Sequence, residues 1–272
     1  MPTVTQILVY PVKSCRAVSV TEADLDELGL RGDRRYLVVD QDGKQITQRT
    51  HPELALIQPE LTAAKLSLSR QNMDTLRLTV SRGMPKRQHR EVTVWSTSGL
   101  VAEDCGDDAA DWISAAVGTT ARLVCTGPLF NRPLKNFARH RTGFADAYPL
   151  LITNEASLAD LNNRLLERGE EIVPMDRFRP NLVVSGFPAF AEDRWHRIKV
   201  GDASFESGGP CERCIMTTQD QSNGTRSGPE PLRTLATFRR APESNAVQFG
   251  QNLVNLSKHG RIRVGDDVRL IE

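Results

Sequence analysis

Short runs that alternate between apolar and polar residues make up most of this chain, and they predict a β-rich protein. Thr3 to Tyr10 is β-branched and apolar and halts at Pro11, so it reads as a strand entering an irregular turn. Val18 to Leu28 predicts a second strand with an acidic turn, and Tyr36 to Asp40 a third. Asp42-Gly43 is a hairpin signal that pairs this third strand with Lys44 to Gln48. Leu76 to Val80 and Glu91 to Trp95 predict further strands, separated by the basic segment Arg82 to Arg90 as an exposed loop. Ala109 to Val117 has helical spacing with Asp107 or Asp108 as its N-cap, and Arg122 to Cys125 returns to strand.

The second half changes rhythm. Pro128 to Gly143 is basic and irregular and reads as a surface linker. Leu150 to Thr153 predicts a buried strand, and Thr153 or Asn154 caps a helix from Glu155 to Arg168 whose apolar face is Leu158, Leu161, Leu165 and Leu166. Leu182 to Gly186 is another strand. Arg197 to Asp202 and Arg261 to Asp266 resemble each other and predict two hairpins of one barrel, bracketing a segment with two cysteines. Pro229 to Arg240 predicts a short helix, and Phe249 to Leu253 a tight turn that carries two amides. The fold class is therefore mixed α/β and β-rich, with barrel-type sheets and a few helices.

Composition narrows the function more by exclusion than by signal. The 272 residues carry 35 basic and 34 acidic side chains, a net charge of +1, so no global field draws in nucleic acid. The N-terminus lacks a basic start followed by an apolar core, and no run approaches a membrane span, so the expected location is cytoplasmic. Five scattered cysteines argue against a disulfide framework.

Chemistry concentrates at Gly208-Gly209-Pro210-Cys211-Glu212-Arg213-Cys214, where both thiols are expected at a loop entering the strand Ile215 to Thr218. A CxxC pair is compatible with half of a zinc site, with a dithiol, or with thiolate ligation of a cofactor metal. Only one such pair exists, His196 and His259 have no paired spacing, and the segment after Cys214 reads as strand rather than helix. A phosphorylated cofactor also needs basic donors, and Lys13, Ser14, Arg34, Arg179 and Arg213 are of that kind.

Six segments taken together and in order carry a resemblance: Tyr10 to Ser14, Asp33-Arg34, Asn154 to Leu158, Phe178 to Asn181, Cys211 to Cys214, and Phe249 to Asn252. From about Thr5 to Ile271 the chain resembles the MOSC family, named for the molybdenum cofactor sulfurase C-terminal domain. The resemblance implies an N-terminal β-barrel region over residues 1–125 and a MOSC domain over 126–272, with the cofactor site between them. It implies molybdenum held by a molybdopterin, with Cys214 as the protein's ligand to the metal and Cys211 as a neighbour. Lys13, Ser14, Arg34, Arg179, Asn181, Arg213 and Asn252 fall on positions that hold the pterin and its phosphate. Asp146 falls near the metal's open side. Cys15, Cys105 and Cys125 are left as packed thiols.

The reaction implied is reduction of small N-hydroxylated substrates, amidoximes, hydroxylamines and N-hydroxylated bases, to the N–H compound and water. A cofactor carrier or sulfur-transfer module is the alternative. The chain ends at Glu272 with no four-cysteine ferredoxin-like segment, so no iron–sulfur cluster is expected in it. Electrons are then expected from a separate protein such as a ferredoxin, flavodoxin, cytochrome b5-like carrier or flavin reductase. No nucleic-acid partner is expected, and the chain is expected to be a monomer.

Overall fold

The computed structural model describes residues 1–79 and 88–271. In the first half its strands are β1 (Thr3–Val9), β2 (Val18–Val20), β3 (Glu22–Asp26), β4 (Gly29–Leu30), β5 (Tyr36–Val39), β6 (Gln58–Leu61), β7 (Lys65–Ser69), β8 (Leu76–Thr79), β9 (His89–Val94), β10 (Thr97–Asp104) and β11 (Arg122–Thr126). Helix α1 (Asp107–Val117) separates the last two. Then follow β12 (Pro133–Leu134), β13 (Phe137–Arg141), β14 (Leu150–Asn154), α2 (Glu155–Glu167), β15 (Leu182–Ser185), β16 (Arg197–Val200), β17 (Ala203–Arg213), α3 (Leu232–Leu235), β18 (Val247–Asn255), β19 (Arg261–Arg263) and β20 (Val268–Ile271). The mixed, β-rich class expected from the sequence is observed. Val80 and residues 82–87 of the expected basic loop lie outside the described residues, while His89 and Arg90 open β9.

The largest sheet has eight strands in the order β2-β1-β15-β14-β18-β17-β16-β20. One interior pair, β14 and β15, is parallel, and α2 makes the crossover that parallel pairing requires. Leu150 to Asn154 is buried throughout, as a strand covered on both faces should be. The Asn154 side chain accepts from Ala156 N–H and caps α2. Leu161 and Leu165 face the sheet with Phe178 and Phe249. Leu166 instead lies in solvent, because it sits one position beyond the buried stripe.

A four-stranded sheet, β5-β11-β10-β9, and a three-stranded sheet, β6-β7-β8, come from the first half. Leu54, Leu66, Leu68, Ile113 and Leu123 close one core here, with α1 packed on β11. Gly106 caps α1 in place of the expected aspartates, which occupy the first turn, where negative charge complements the helix dipole. Among the described residues no helix is long and apolar enough to cross a membrane.

Four local expectations are corrected. The second Gly-Asp repeat is not a hairpin: β19 pairs with β3 and β20 pairs with β16, so its two strands serve different sheets. The segment Phe249 to Leu253 is not a turn either, since it lies within β18, where Gly250 at φ +78 sits against Ile152 O. Ile215–Thr218 is a single 3-10 turn after β17, so the cysteines close a strand rather than open one. Pro128 to Gly143 contains the hairpin β12–β13 and a buried arginine, Arg132.

Candidate active site

A cavity of about 540 Å³ opens where the β17, β14 and β18 side of the large sheet meets the tip of the β9–β10 hairpin and the turn after Ile46. Lys13, Ser14, Arg34, Asp146, Arg179, Asn181, Arg213, Cys214 and Asn252 all line it. Every site residue picked from the sequence is thus brought to one place, from positions as far apart as Lys13 and Asn252.

Irregular backbone delivers several of them. Seven described non-glycine residues have positive φ, and four, Ser14, Arg34, Trp95 and Arg179, are in this cavity wall. Such conformations cost about 1–3 kcal/mol each and persist where the surroundings over-determine them. Arg34 donates from Nη1 to Asp33 Oδ2 at 2.7 Å and to Asn181 Oδ1 at 2.9 Å. Arg179 donates to Cys15 O at 2.7 Å and to Gln221 Oε1 at 3.2 Å. Both guanidiniums lie on the Tyr10 ring, at 4.4 and 4.3 Å from its centroid. Burial pushes the Tyr10 hydroxyl up to about 12 despite these cations, so the ring is a neutral spacer between them.

Asn181 is spent on the protein itself. Its Nδ2 donates to Leu8 O and to Asp33 Oδ1, each at 3.0 Å, and its Oδ1 accepts from Arg34 and Leu151 N–H. It orients Arg34. Asn252 donates to Pro210 O at 3.3 Å and ties β18 to the cysteine strand. Arg213 donates to Cys211 Sγ at 2.9 Å and to Phe178 O at 2.7 Å.

The charged centre is a pair, Lys13 and Asp146, in direct contact. Lys13 also donates to Phe144 O at 2.8 Å. Burial lowers Lys13 to about 8, although Asp146 pulls it the other way. The depth of the site opposes charge on Asp146, yet Lys13, Arg49 and the Trp95 N–H outweigh it and hold the carboxyl well below the usual carboxylate range. Asp146 keeps access to water by facing the cavity, with its side chain 56% exposed.

Sequence reasoning missed five residues that shape the cavity. Arg49 Nη2 donates to Cys214 Sγ at 3.1 Å and lies 3.9 Å from Asp146 Oδ2. Its guanidinium lies 4.1 Å from the centroid of the Trp95 ring, and Trp95 Nε1 donates to Asp146 Oδ1 at 3.1 Å. Arg177 and Tyr148 complete the wall. Behind it Arg132 donates to Gly143 O, Ala145 O and Asp146 O, and so fixes the loop that carries Asp146. Arg49 was hidden at the end of an expected hairpin strand, and Arg132 in a segment whose basic character suggested solvent. Trp95 closes an expected strand, where an aromatic residue is ordinary, so its type gave no signal.

The two cysteines are not equivalent. Arg213 attends Cys211 and Arg49 attends Cys214. Among the described residues no group of three or more His, Cys, Asp or Glu side chains gathers as a metal site. Cys15 is buried and its thiol is pushed up to about 12, which leaves it an inert packing group.

Residues 1–120 match the MOSC N-terminal beta barrel domain and residues 139–269 match the MOSC domain. The human protein named mitochondrial amidoxime-reducing component 1 is 37% identical over 289 residues, spanning 99% of this chain and 83% of that protein. Bovine mitochondrial amidoxime reducing component 2 is 35% identical over 285 residues, spanning 98% of this chain and 82% of that protein. With two domain matches in order and similarity to these relatives along nearly its whole length, the chain belongs to the MOSC family and carries the family's N-terminal barrel domain ahead of its MOSC domain.

Proposed function

We propose that this protein reduces N-hydroxylated compounds, such as amidoximes, hydroxylamines and N-hydroxylated bases, to the N–H compound and water, using molybdenum held by a molybdopterin and by Cys214. The observation that carries the reading is the convergence of the Cys214 thiol, six basic side chains and the strongly acidic Asp146 carboxyl on a single cavity. The amidoxime-reducing names of the relatives agree with it.

The residues present fit such a group. Arg49 Nη1, Arg177 Nε and Arg213 Nε are buried donors with no partner among the described residues, and all three belong to side chains of the cavity wall. Unpartnered buried donors are costly, and an anionic cofactor satisfies them. Arg34, Arg177, Arg179, Arg213 and Lys13 would hold the pterin and its phosphate, and Cys214 offers a soft sulfur ligand. When bound, the cofactor would supply the two-electron chemistry of the reduction.

The protein's own groups bind and orient. Asp146 Oδ1 is engaged by Lys13 and Trp95, whereas Oδ2 has Arg49 only at 3.9 Å. Oδ2 is therefore the atom that accepts the hydrogen of a substrate N–OH. Lys13, lowered to about 8, can return a proton near neutral pH. Electrons come from a separate carrier protein.

The test is reduction of benzamidoxime by viologen-reduced protein made in a host that supplies the molybdenum cofactor. The expected result is turnover with about one molybdenum per chain, and loss of both in Cys214→Ala. Retention of molybdenum without turnover on any N-hydroxylated compound would instead indicate a cofactor carrier.

A further inference from the structure

Trp95 is out of place by the ordinary rules of hairpins. It stands at the tip between β9 and β10 with φ +55, a position that Gly or Asn occupies at least cost and that a bulky aromatic rarely adopts. Its side chain is not buried in a core: the residue is 41% exposed and lines the cavity. The strain therefore brings no packing gain.

What the conformation does achieve is a fixed aromatic plane beside Asp146. The indole Nε1 donates to Asp146 Oδ1 at 3.1 Å, Arg49 lies 4.1 Å from the ring centroid, and Lys13 Nζ lies 5.6 Å from it. Three contacts from three different segments hold one side chain in one orientation. Arg49 covers part of the ring, and the exposed remainder of a rotamer held in this way offers a flat π surface at little further entropic cost to a flat ligand.

Resting on the reductase reading above, we propose that Trp95 is a specificity-determining residue, against which flat, conjugated N-hydroxylated substrates stack with the N–OH end at Asp146. Arylamidoximes and N-hydroxylated aromatic bases have that shape. A saturated alkylhydroxylamine offers no plane to the ring.

Two readouts test this on the molybdenum-loaded protein. The first is calorimetric binding of benzamidoxime without an electron source, for wild type, Trp95→Ala and Trp95→Phe. The second is the ratio of kcat/KM for benzamidoxime to that for N-methylhydroxylamine. Trp95→Ala is expected to weaken benzamidoxime binding about 10-fold and to lower the ratio about as much, whereas Trp95→Phe, which keeps a ring, changes each by less than about 3-fold. Equal losses in the two variants would assign the effect to the indole N–H on Asp146 and overturn the proposal, as would an unchanged Kd in Trp95→Ala. Thermal melting checks that each variant is folded. If wild type turns over neither substrate while its binding still depends on the ring, the reductase reading fails and the ligand assignment stands.

Discussion

Arg49 Nη2 lies 3.1 Å from the sulfur of Cys214, across 165 positions of sequence. The arginine reaches the thiol from the turn after Ile46, so the two halves of the chain meet at this contact. Arg49 is itself held by Trp95 and Asp146, which makes its fork a fixed donor rather than a mobile surface charge.

Residues that support a metal ligand in this way commonly carry about 10- to 100-fold in metal affinity. Arg49→Ala is therefore expected to lose molybdenum about 10- to 100-fold more readily than wild type in a dilution or chelation time course. Arg49→Lys should recover part of that, since it keeps the charge and loses the fork. Cys214→Ser should abolish retention while Cys211→Ser preserves most of it. Equal losses from the two cysteines would show a symmetric dithiol and remove the asymmetry on which the assignment of Cys214 depends.

The Lys13–Asp146 pair makes the cavity pH-sensitive in a defined direction. Lys13 falls from an ordinary 10.5 to about 8 because it is buried, so between those values the native state binds fewer protons than the unfolded chain. Stability from this residue therefore rises with pH across that window. Anion binding moves the opposite way, because a positive charge leaves the cavity while Asp146 stays negative. Pyrophosphate binding to the metal-free protein should weaken about 5-fold from pH 7 to pH 9, of the order of 1 kcal/mol of Coulomb energy. Lys13→Met should bind more weakly at pH 7 and lose this step. Persistence of the full step in that variant would assign it to another group.

Arg132 holds the loop under Asp146 by donating to three carbonyl oxygens, and it is 6% exposed. Removing a buried donor leaves acceptors unpaired at about 1–3 kcal/mol each. Arg132→Ala is expected to lower unfolding free energy by about 2–4 kcal/mol in urea titration, with part of the loss recovered in Arg132→Lys. A loss below about 0.5 kcal/mol, the range of ordinary surface changes, would show that the loop is held by other contacts.

The sequence was most legible where one local rule decided the outcome. Pro11 after an apolar run ends β1, Asn154 caps α2, and the buried run Leu150 to Thr153 can only be an interior strand. The site residues were named through an ordered set of short segments, and their meeting depends on sheet pairings such as β1 on β15 that no local pattern encodes. Arg49, Trp95 and Arg132 were illegible for a related reason. Arg49 and Trp95 stand at the ends of expected strands and Arg132 in a segment whose composition suggests solvent, and each acquires its role from partners contributed by other elements. The second Gly-Asp repeat failed similarly: its local pattern fits a hairpin, but β3 and β16 compete successfully for its two strands.

Gly208 gives a test of how closely the cysteine strand and the cavity wall are fitted. A Cβ at this position would lie 2.5–2.8 Å from three ring atoms of Tyr148, nearer than real carbon contacts come. The strand is anchored by its pairing with β18, from Phe205 against Asn255 to Arg213 against Val247, so the ring must give way. Tyr148 lines the cavity and packs edge-on to Phe137 at 6.1 Å, which limits its retreat. Gly208→Ala is therefore expected to cost about 1–3 kcal/mol of stability, as overpacking does. It should also displace Tyr148 into the space a substrate needs, raising KM for benzamidoxime more than it lowers kcat. Tyr148→Ala opens the space that the methyl requires, so in the double variant the cost of Gly208→Ala should fall below about 0.5 kcal/mol, a coupling that a double-mutant cycle measures directly. Additive losses in that cycle would mean that Gly208 is required for its backbone alone, and that the ring and the strand do not constrain each other.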